Sequence, residues 1–112
     1  MPFADYPSPP GNKLNSIHTI TGPVSYTAVT NGAAPSGGQV VTAREVGMVA
    51  IEWAGGTCSA TGAWVPLVIF DGNPNKAMQS IRVRWIVAAT GAEVAGGVDL
   101  STAKARMLFI GQ

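Results

Sequence analysis

The chain has 112 residues, with seven basic and six acidic side chains, a formal net charge of +1, one histidine and one cysteine. A chain of this length fits one domain whose core is stable without metal ions or disulfides. Because enzymes and zinc sites need clusters of nucleophiles, bases or ligands, this inventory argues against catalysis and a bound metal. The balanced charge argues against nucleic acid or an anionic membrane as partner. We therefore expect a non-enzymatic protein without a cofactor.

The total charge is low as well as balanced. Charged residues make up 12% of the chain, about half of the ~25% that is typical of soluble domains. Such a chain covers its surface with uncharged polar residues or associates with other chains, and we favour association. The first residues do not read as a signal peptide, and the longest apolar run, residues 63–70, is too short to span a bilayer. These features predict synthesis as a soluble chain in the cytoplasm.

The N-terminal residues 1–13 differ in composition from the rest and predict an extended arm. Four of the eight prolines fall within the first ten positions, and proline favours extended backbone at its own and the preceding position. The arm also carries two aromatic rings, which suit an anchor in a docked segment. The predicted docking residues are Phe3, Tyr6, Pro7, Pro9 and Pro10. Residues 14–112 are predicted to form a single domain.

Strand-like segments separated by turn signals follow in chain order. The first four are residues 14–21, 24–30, 39–43 and 46–53. The fourth is ambiguous, since its apolar residues fit both helical and alternating spacing. Gly47 and the β-branched content favour a strand there.

Four further elements follow in the second half of the chain: residues 63–70, 80–89, 93–95 and 105–111. Pro66 indicates that the first of them is an edge strand or contains a bulge. Residues 80–89 alternate most regularly, with Ile81, Val83, Trp85 and Val87 on one face and Arg82, Arg84 and Ile86 on the other. Ser101 and Thr102 predict the cap of a one-turn helix that runs to Lys104. In the closing strand, Met107 and Phe109 are expected to face opposite to Arg106, Leu108 and Ile110.

About seven to eight short strands with almost no helix predict an all-β fold, an antiparallel β-sandwich or jelly-roll-like domain. Three of these segments, residues 46–53, 63–70 and 106–110, are apolar on both faces. One face of each sheet in a two-layer sandwich normally meets water and is polar. We therefore expect the arm, a loop or another subunit to cover the outer faces.

The single histidine and the single cysteine do not predict a catalytic or metal site. His18 and Cys58 lack sequence partners and are interpreted as structural or loop residues. The turn at residues 71–75 offers oxygen ligands for calcium, but an ordinary turn explains the same residues. Glu52 beside Trp53 resembles one half of a glycoside-hydrolysing pair, and no second acid is evident.

Arginines and tryptophans are the remaining candidates. Arg82 and Arg84 share one face of their strand, and Arg106 is expected on a neighbouring strand, so that the three form a basic sheet face. This face pairs with local acids (Glu52, Glu93 or Asp99) or with another subunit. Trp85 is predicted to lie in the core. Trp64, after a glycine-rich loop, is the candidate ligand-facing residue, with burial in the core or an interface as the simpler interpretation.

The chain resembles small structural proteins of tailed bacteriophages, particularly capsid decoration (cement) proteins. The shared features are the Pro-rich arm of residues 1–12, the short Gly/Ala/Thr/Val strands and the lack of a catalytic cluster. The resemblance implies a virion protein on the capsid exterior that binds and stabilises the lattice of the major capsid protein, as a homo-oligomer such as a dimer or trimer. The arm would then dock on a neighbouring subunit, and Arg82, Arg84 and Arg106 would complement an acidic capsid surface. Two alternatives remain open: a phage tail, neck or fibre component, and a carbohydrate-binding β-sandwich module that uses Trp64.

Overall fold

The computed structural model describes residues 14–30, 36–57, 62–70 and 79–112. Within these ranges the chain forms six strands and one 3₁₀ turn. The strands are β1 (Leu14–Thr21), β2 (Gln39–Thr42), β3 (Ile51–Gly56), β4 (Trp64–Phe70), β5 (Ser80–Val87) and β6 (Lys104–Gly111), and the 3₁₀ turn is Ala43–Val46. The predicted arm, residues 1–13, lies outside the described residues.

The six strands form two antiparallel sheets of three strands each. The first sheet has the order β1–β6–β3 and the second has the order β2–β5–β4. Strands β3 and β4 contact each other across the sheets. The all-β, antiparallel, sandwich-like prediction is confirmed, although the described residues contain fewer strands than the seven to eight expected.

The core lies between the inward faces of the two sheets. Its largest fully buried side chains are Trp85, Tyr26, Phe109, Ile51, Ile81, Leu100, Met107 and Val83. The central strands β5 and β6 supply five of these eight, at alternate positions, because successive residues of a strand point to opposite faces. The predicted alternation of both strands is therefore confirmed. Burial of each such aliphatic side chain contributes about 1.5–3 kcal/mol to folding.

Pro66 lies in β4, an edge strand of the second sheet, opposite Trp85. Proline has no N–H to donate to a neighbouring strand, and an edge strand has neighbours on one side only. Of the two alternatives that Pro66 indicated, an edge strand or a bulge, the edge strand is confirmed.

Residues 46–53 do not form the continuous strand that was predicted. Residues 43–46 form the 3₁₀ turn instead, and β3 begins only at Ile51. The turn starts with a capping box, in which the Thr42 hydroxyl accepts from the Glu45 N–H and the Glu45 carboxylate accepts from the Thr42 N–H. Gly47 ends it with a left-handed φ of 77°. Thr-x-x-Glu is a recognised start signal for a helical turn, and it outweighs the local β-propensity.

Two other predicted elements also differ from the structure. Residues 24–30 form an irregular segment rather than a strand, with one bridge from Thr30 to Ser36. Residues 93–95 contribute a single bridge from Glu93 to Ile86. The one-turn helix expected up to Lys104 is absent from this described segment, since Ser101 and Thr102 form a turn and β6 begins at Lys104.

Candidate functional site

Both sheets expose large apolar side chains on their outward faces. Ile17 is 64% and Trp53 is 50% exposed on the first sheet, while Val40 is 46% and Leu67 is 49% exposed on the second. Single exposed apolar residues are common on soluble proteins, whereas contiguous apolar faces mark interaction surfaces. The strand register decides which of the two applies here.

We call the outward side of the first sheet the first face. Along β6 it carries Lys104, Arg106, Leu108 and Ile110, and its neighbours are Asn15, Ile17, Thr19 and Thr21 of β1 and Trp53 and Gly55 of β3. Leu108 lies opposite Ile17 on one side and Gly55 on the other, and Ile110 lies opposite Trp53. Directly opposed residues in antiparallel strands point to the same side. The four apolar side chains therefore form one contiguous half of the first face.

Trp53 reaches this face because of a bulge in β3. The register shifts between Ile51 and Trp53, and Glu52 is the extra residue of the bulge. Two residues that are two positions apart normally share a face, but the extra residue turns Trp53 outward while Ile51 stays fully buried.

Gly55 then leaves room for the indole of Trp53. A Cβ placed on Gly55 would lie 2.6 Å from Cη2 and 2.9 Å from Cζ2 of Trp53. The ring therefore lies along β3 above Gly55, which is the cross-strand partner of Leu108. The missing side chain of Gly55 makes the apolar half continuous from β6 to the edge of the sheet.

The other half of the first face is polar and basic. Arg106 lies opposite Thr19, and Lys104 lies opposite Thr21. Both cations are exposed, and the Lys104 ammonium donates to the Thr21 hydroxyl at 3.5 Å. Neither cation forms an ion pair within the described part of the chain, and none of the residues paired in register on this face is acidic.

The outward side of the second sheet, which we call the second face, carries charges of both signs. Arg82 lies between Val40 of β2 and Ile69 of β4, and Arg84 lies opposite Leu67. The Arg84 Nε is 3.7 Å from Oε1 of Glu93, which confirms the predicted local pairing for this arginine. Arg82 donates to the Gly37 carbonyl at 2.8 Å.

The predicted basic face of Arg82, Arg84 and Arg106 does not exist as one surface. Arg82 and Arg84 lie on β5 in the second sheet, whereas Arg106 lies on β6 in the first sheet. The prediction assumed neighbouring strands, but β5 and β6 are the central strands of different sheets.

Glu93 is held in place by a buried tyrosine. The Tyr26 hydroxyl donates to Glu93 Oε2 at 2.7 Å and accepts from the Trp85 N–H at 3.2 Å, and the Val29 N–H donates to the same Glu93 oxygen at 2.7 Å. Burial and the hydrogen bond to Glu93 raise the pKa of Tyr26 to about 12. This network fastens the irregular segment 24–30 to β5 and positions Glu93 beside Arg84.

The three tryptophans differ from one another in exposure. Trp85 is fully buried, as expected, and its Nε1 donates to the Gln39 side chain at 2.8 Å. Trp64 is half-buried and packs against the core, together with its cross-strand partner Val87. Trp53 is the large exposed indole. Trp64 thus follows the simpler interpretation, packing against the core, and Trp53 rather than Trp64 offers an exposed ring.

The described residues contain no cluster of reactive groups. His18 is half-buried on β1, packs its ring edge against Phe109 at 5.8 Å and shares a hydrogen bond with Ser16. No group of three or more His, Cys, Asp or Glu side chains lies close enough to hold a metal in the described ranges. The predicted arm residues Phe3, Tyr6, Pro7, Pro9 and Pro10, the thiol of Cys58 and the turn at 71–75 lie outside those ranges.

A cavity of about 640 Å³ lies between the 3₁₀ turn and the start of β5. Its lining includes the apolar side chains of Met48 and Val49 and the polar side chains of Arg44 and Gln79. Its described lining has no carboxylate, imidazole or thiol that would act as an acid, base or nucleophile.

Comparisons of the chain with protein-family models, with curated proteins and with solved structures found no match. In the part of the chain that the structure describes, no helix has the length and apolar character needed to cross a membrane.

Proposed function

We propose that this protein is a non-enzymatic structural subunit of a virion that adds to an assembled capsid lattice and stabilises it. The observation that supports the proposal is the contiguous apolar half of the first face, formed by Ile17, Trp53, Leu108 and Ile110. Exposed apolar area of this kind is stabilised when another protein covers it, because each Å² removed from water contributes roughly 25 cal/mol. A low charge of 12% fits a surface that is covered in the working state.

The small area of the first face explains why such a subunit would bind the lattice through several copies at once. The eight-residue strands β1 and β6 are each about 26 Å long and the six-residue strand β3 is about 20 Å long, which at about 4.8 Å per strand gives about 350 Å² of sheet. A stable interface buries about 800 Å² on each partner. One face alone therefore binds weakly, whereas an oligomer that touches a repeating lattice at several points gains affinity from multivalency.

Two surfaces of different character suit an oligomer on a lattice. The second face carries Arg84 and Glu93, charges of both signs, beside apolar residues such as Leu67. A surface with both signs can be complementary to itself across a two-fold axis. We therefore assign homo-oligomer formation to the second face, where this symmetry favours the dimer of the expected dimer or trimer, and leave the first face for the lattice.

The predicted arm would add to lattice binding. Thirteen extended residues reach up to about 45 Å, far enough to contact a neighbouring subunit. Its prolines lower the entropy lost on docking, and Phe3 and Tyr6 would supply the anchors.

The direct test is co-sedimentation of the purified protein with candidate shells. We expect the full chain to pellet with shells and a variant lacking residues 1–12 to lose binding while keeping the β-sheet circular dichroism of the full chain. Normal decoration by the shortened chain would refute the role of the arm. Failure of the full chain to bind any virion component would refute the proposed function. Electron microscopy of labelled particles distinguishes capsid from tail, neck or fibre.

The exposed indole of Trp53 favours a second candidate function, a carbohydrate-binding module. A tryptophan that lies across a sheet face offers a flat apolar surface to a sugar ring. Titration of tryptophan fluorescence with a set of glycans tests it. A change that Trp53→Ala abolishes and Trp64→Phe preserves would support this candidate over lattice binding.

A further inference from the structure

We infer that the first face docks onto a protein surface that is acidic at one end and apolar at the other, and not onto a second copy of this chain. The identity of that partner as a shell subunit rests on the proposed function. The chemistry of the partner follows from the first face alone.

The charge pattern argues against a second copy. Lys104 and Arg106 are exposed, and no residue paired in register beside them is acidic. Two copies stacked through this face would bury four cations without a partner carboxylate, and unpaired charge in an interface costs several kcal/mol.

Glu52 does not supply the missing carboxylate. It lies in the β3 bulge at the Ile110 end of the face, about 13 Å along β6 from Arg106. Its Oε2 is buried, and Glu52 takes part in an interaction within the chain. Among the described residues, the first face of a second copy would therefore present cations and apolar groups but no accessible acid.

The apolar half argues against nucleic acid. Proteins that bind a duplex commonly make six to ten phosphate contacts, while this face offers two cations. Contact with phosphates would give no favourable free energy from burial of the apolar side chains of Ile17, Leu108 and Ile110. A protein surface with carboxylates at one end and apolar side chains at the other satisfies both halves.

The spacing along β6 specifies the partner further. Lys104, Arg106, Leu108 and Ile110 point outward at every second position, about 6.6 Å apart. A strand that carries two acidic and then two apolar residues at alternate positions has the same repeat. The expected partner element is therefore an extended acidic–apolar strand or the face of a sheet.

The experiment uses peptides of defined sequence and no shells. One peptide has two glutamates followed by two leucines, alternating with threonines, and the control has lysines in place of the glutamates. Amide and indole NMR signals of the ¹⁵N-labelled full chain report binding and its position. We expect the glutamate peptide to shift signals of β1, β3, β6 and the Trp53 indole, and the lysine peptide to bind roughly tenfold more weakly.

Charge reversal separates recognition from a general structural effect. In the double variant Lys104→Glu, Arg106→Glu the preference should invert in favour of the lysine peptide. Both positions are exposed, so the remainder of the spectrum should stay unchanged. The matched control, Arg82→Glu, Arg84→Glu on the second face, should retain the preference for glutamate if its spectrum remains folded. Gly55→Ala, which pushes the indole of Trp53 aside, should weaken binding of the glutamate peptide by several-fold.

An inverted peptide preference in the double variant supports the inference whether or not the protein binds shells. The shell experiment tests the proposed function separately. Equal binding of both peptides, or shifts elsewhere on the protein, would overturn it. Stronger binding of a short DNA duplex to the first face would assign the face to nucleic acid and overturn it as well. Loss of self-association in Ile17→Lys would assign the face to a second copy, with the same consequence.

Discussion

The Tyr26 hydroxyl joins three separate parts of the fold, and replacing Tyr26 by Phe removes that hydroxyl alone. The ring is 1% exposed, so its packing in the core is retained in the variant. The variant loses the bond to Glu93 at 2.7 Å and leaves the Trp85 N–H without its acceptor. We expect the irregular segment 24–30 to be held less tightly against β5.

The expected cost follows from the two lost interactions. A hydrogen bond to a carboxylate contributes about 1.5–3 kcal/mol, and a buried unsatisfied N–H costs about 1–3 kcal/mol. Partial relaxation and water entry reduce the sum, and we expect Tyr26→Phe to lower the free energy of unfolding by about 2–4 kcal/mol. That loss is a large fraction of the 5–15 kcal/mol that is typical of a small domain.

The same network makes stability depend on pH in the alkaline range. The pKa of Tyr26 is raised from 10.0 to about 12 in the folded protein, mainly by burial and by the bond to Glu93. Because the folded pKa lies above the unfolded one, the contribution is complete below pH 10 and is lost as pH rises to about 12. Two pKa units correspond to at most about 2.7 kcal/mol, and solvent screening reduces this to about 1–2 kcal/mol.

Urea unfolding of the native chain and of Tyr26→Phe at neutral and alkaline pH measures both effects. The stability difference between them should shrink by about 1–2 kcal/mol between pH 10 and 12. The chain has two tyrosines, so Tyr6→Phe is the matched control and leaves Tyr26 as the only phenol for an ultraviolet titration. A midpoint near 10 in the folded Tyr6→Phe protein, or a cost below about 0.5 kcal/mol in Tyr26→Phe, would refute the reasoning.

Two further predictions concern the backbone and the tryptophans. Gly47→Ala should lower the free energy of unfolding by about 1–2 kcal/mol, because φ is 77° there. The control Gly96→Ala should change it by no more than about 0.5 kcal/mol, because the new Cβ would meet no atom closer than 3.9 Å and φ is not positive. Equal losses for the two variants in urea unfolding would contradict this. Acrylamide should quench a fluorescence component that disappears in Trp53→Phe but persists in Trp85→Phe, since Trp53 is 50% and Trp85 is 0% exposed. Loss of that component from the Trp85 variant instead would contradict the exposures.

The regular strands of this fold can be predicted from the sequence, because the alternation of apolar and polar residues in them matches the alternation of buried and exposed side chains. Ile81, Val83 and Trp85 recur at every second position and all face the core. Pro66 likewise indicates an edge strand because proline lacks a donor. These are local signals, and each needs only a few neighbouring residues to be recognised.

Strand order is not a local property, and the errors arise there. β6, the last strand, pairs with β1, the first, and with β3, which separates Arg106 from Arg82 and Arg84. The alternation of residues 24–30 predicted a strand, but in the structure this segment is fixed by the hydrogen bond from Tyr26 to Glu93. That bond spans 67 positions, so the local sequence does not reveal it. A single bulge at Glu52 decides the exposure of Trp53, and no pattern in the sequence marks that bulge. The 3₁₀ turn, by contrast, had a usable signal in Thr42 and Glu45.

The central claim is that the apolar area on the sheet faces is covered by other proteins in the working state. The native mass of the purified protein, measured at high concentration alone and then with candidate shells, tests this most directly. The account predicts a dimer or trimer of the 11.5-kDa chain that moves to the shell fraction when shells are added. An 11.5-kDa monomer under both conditions would contradict it.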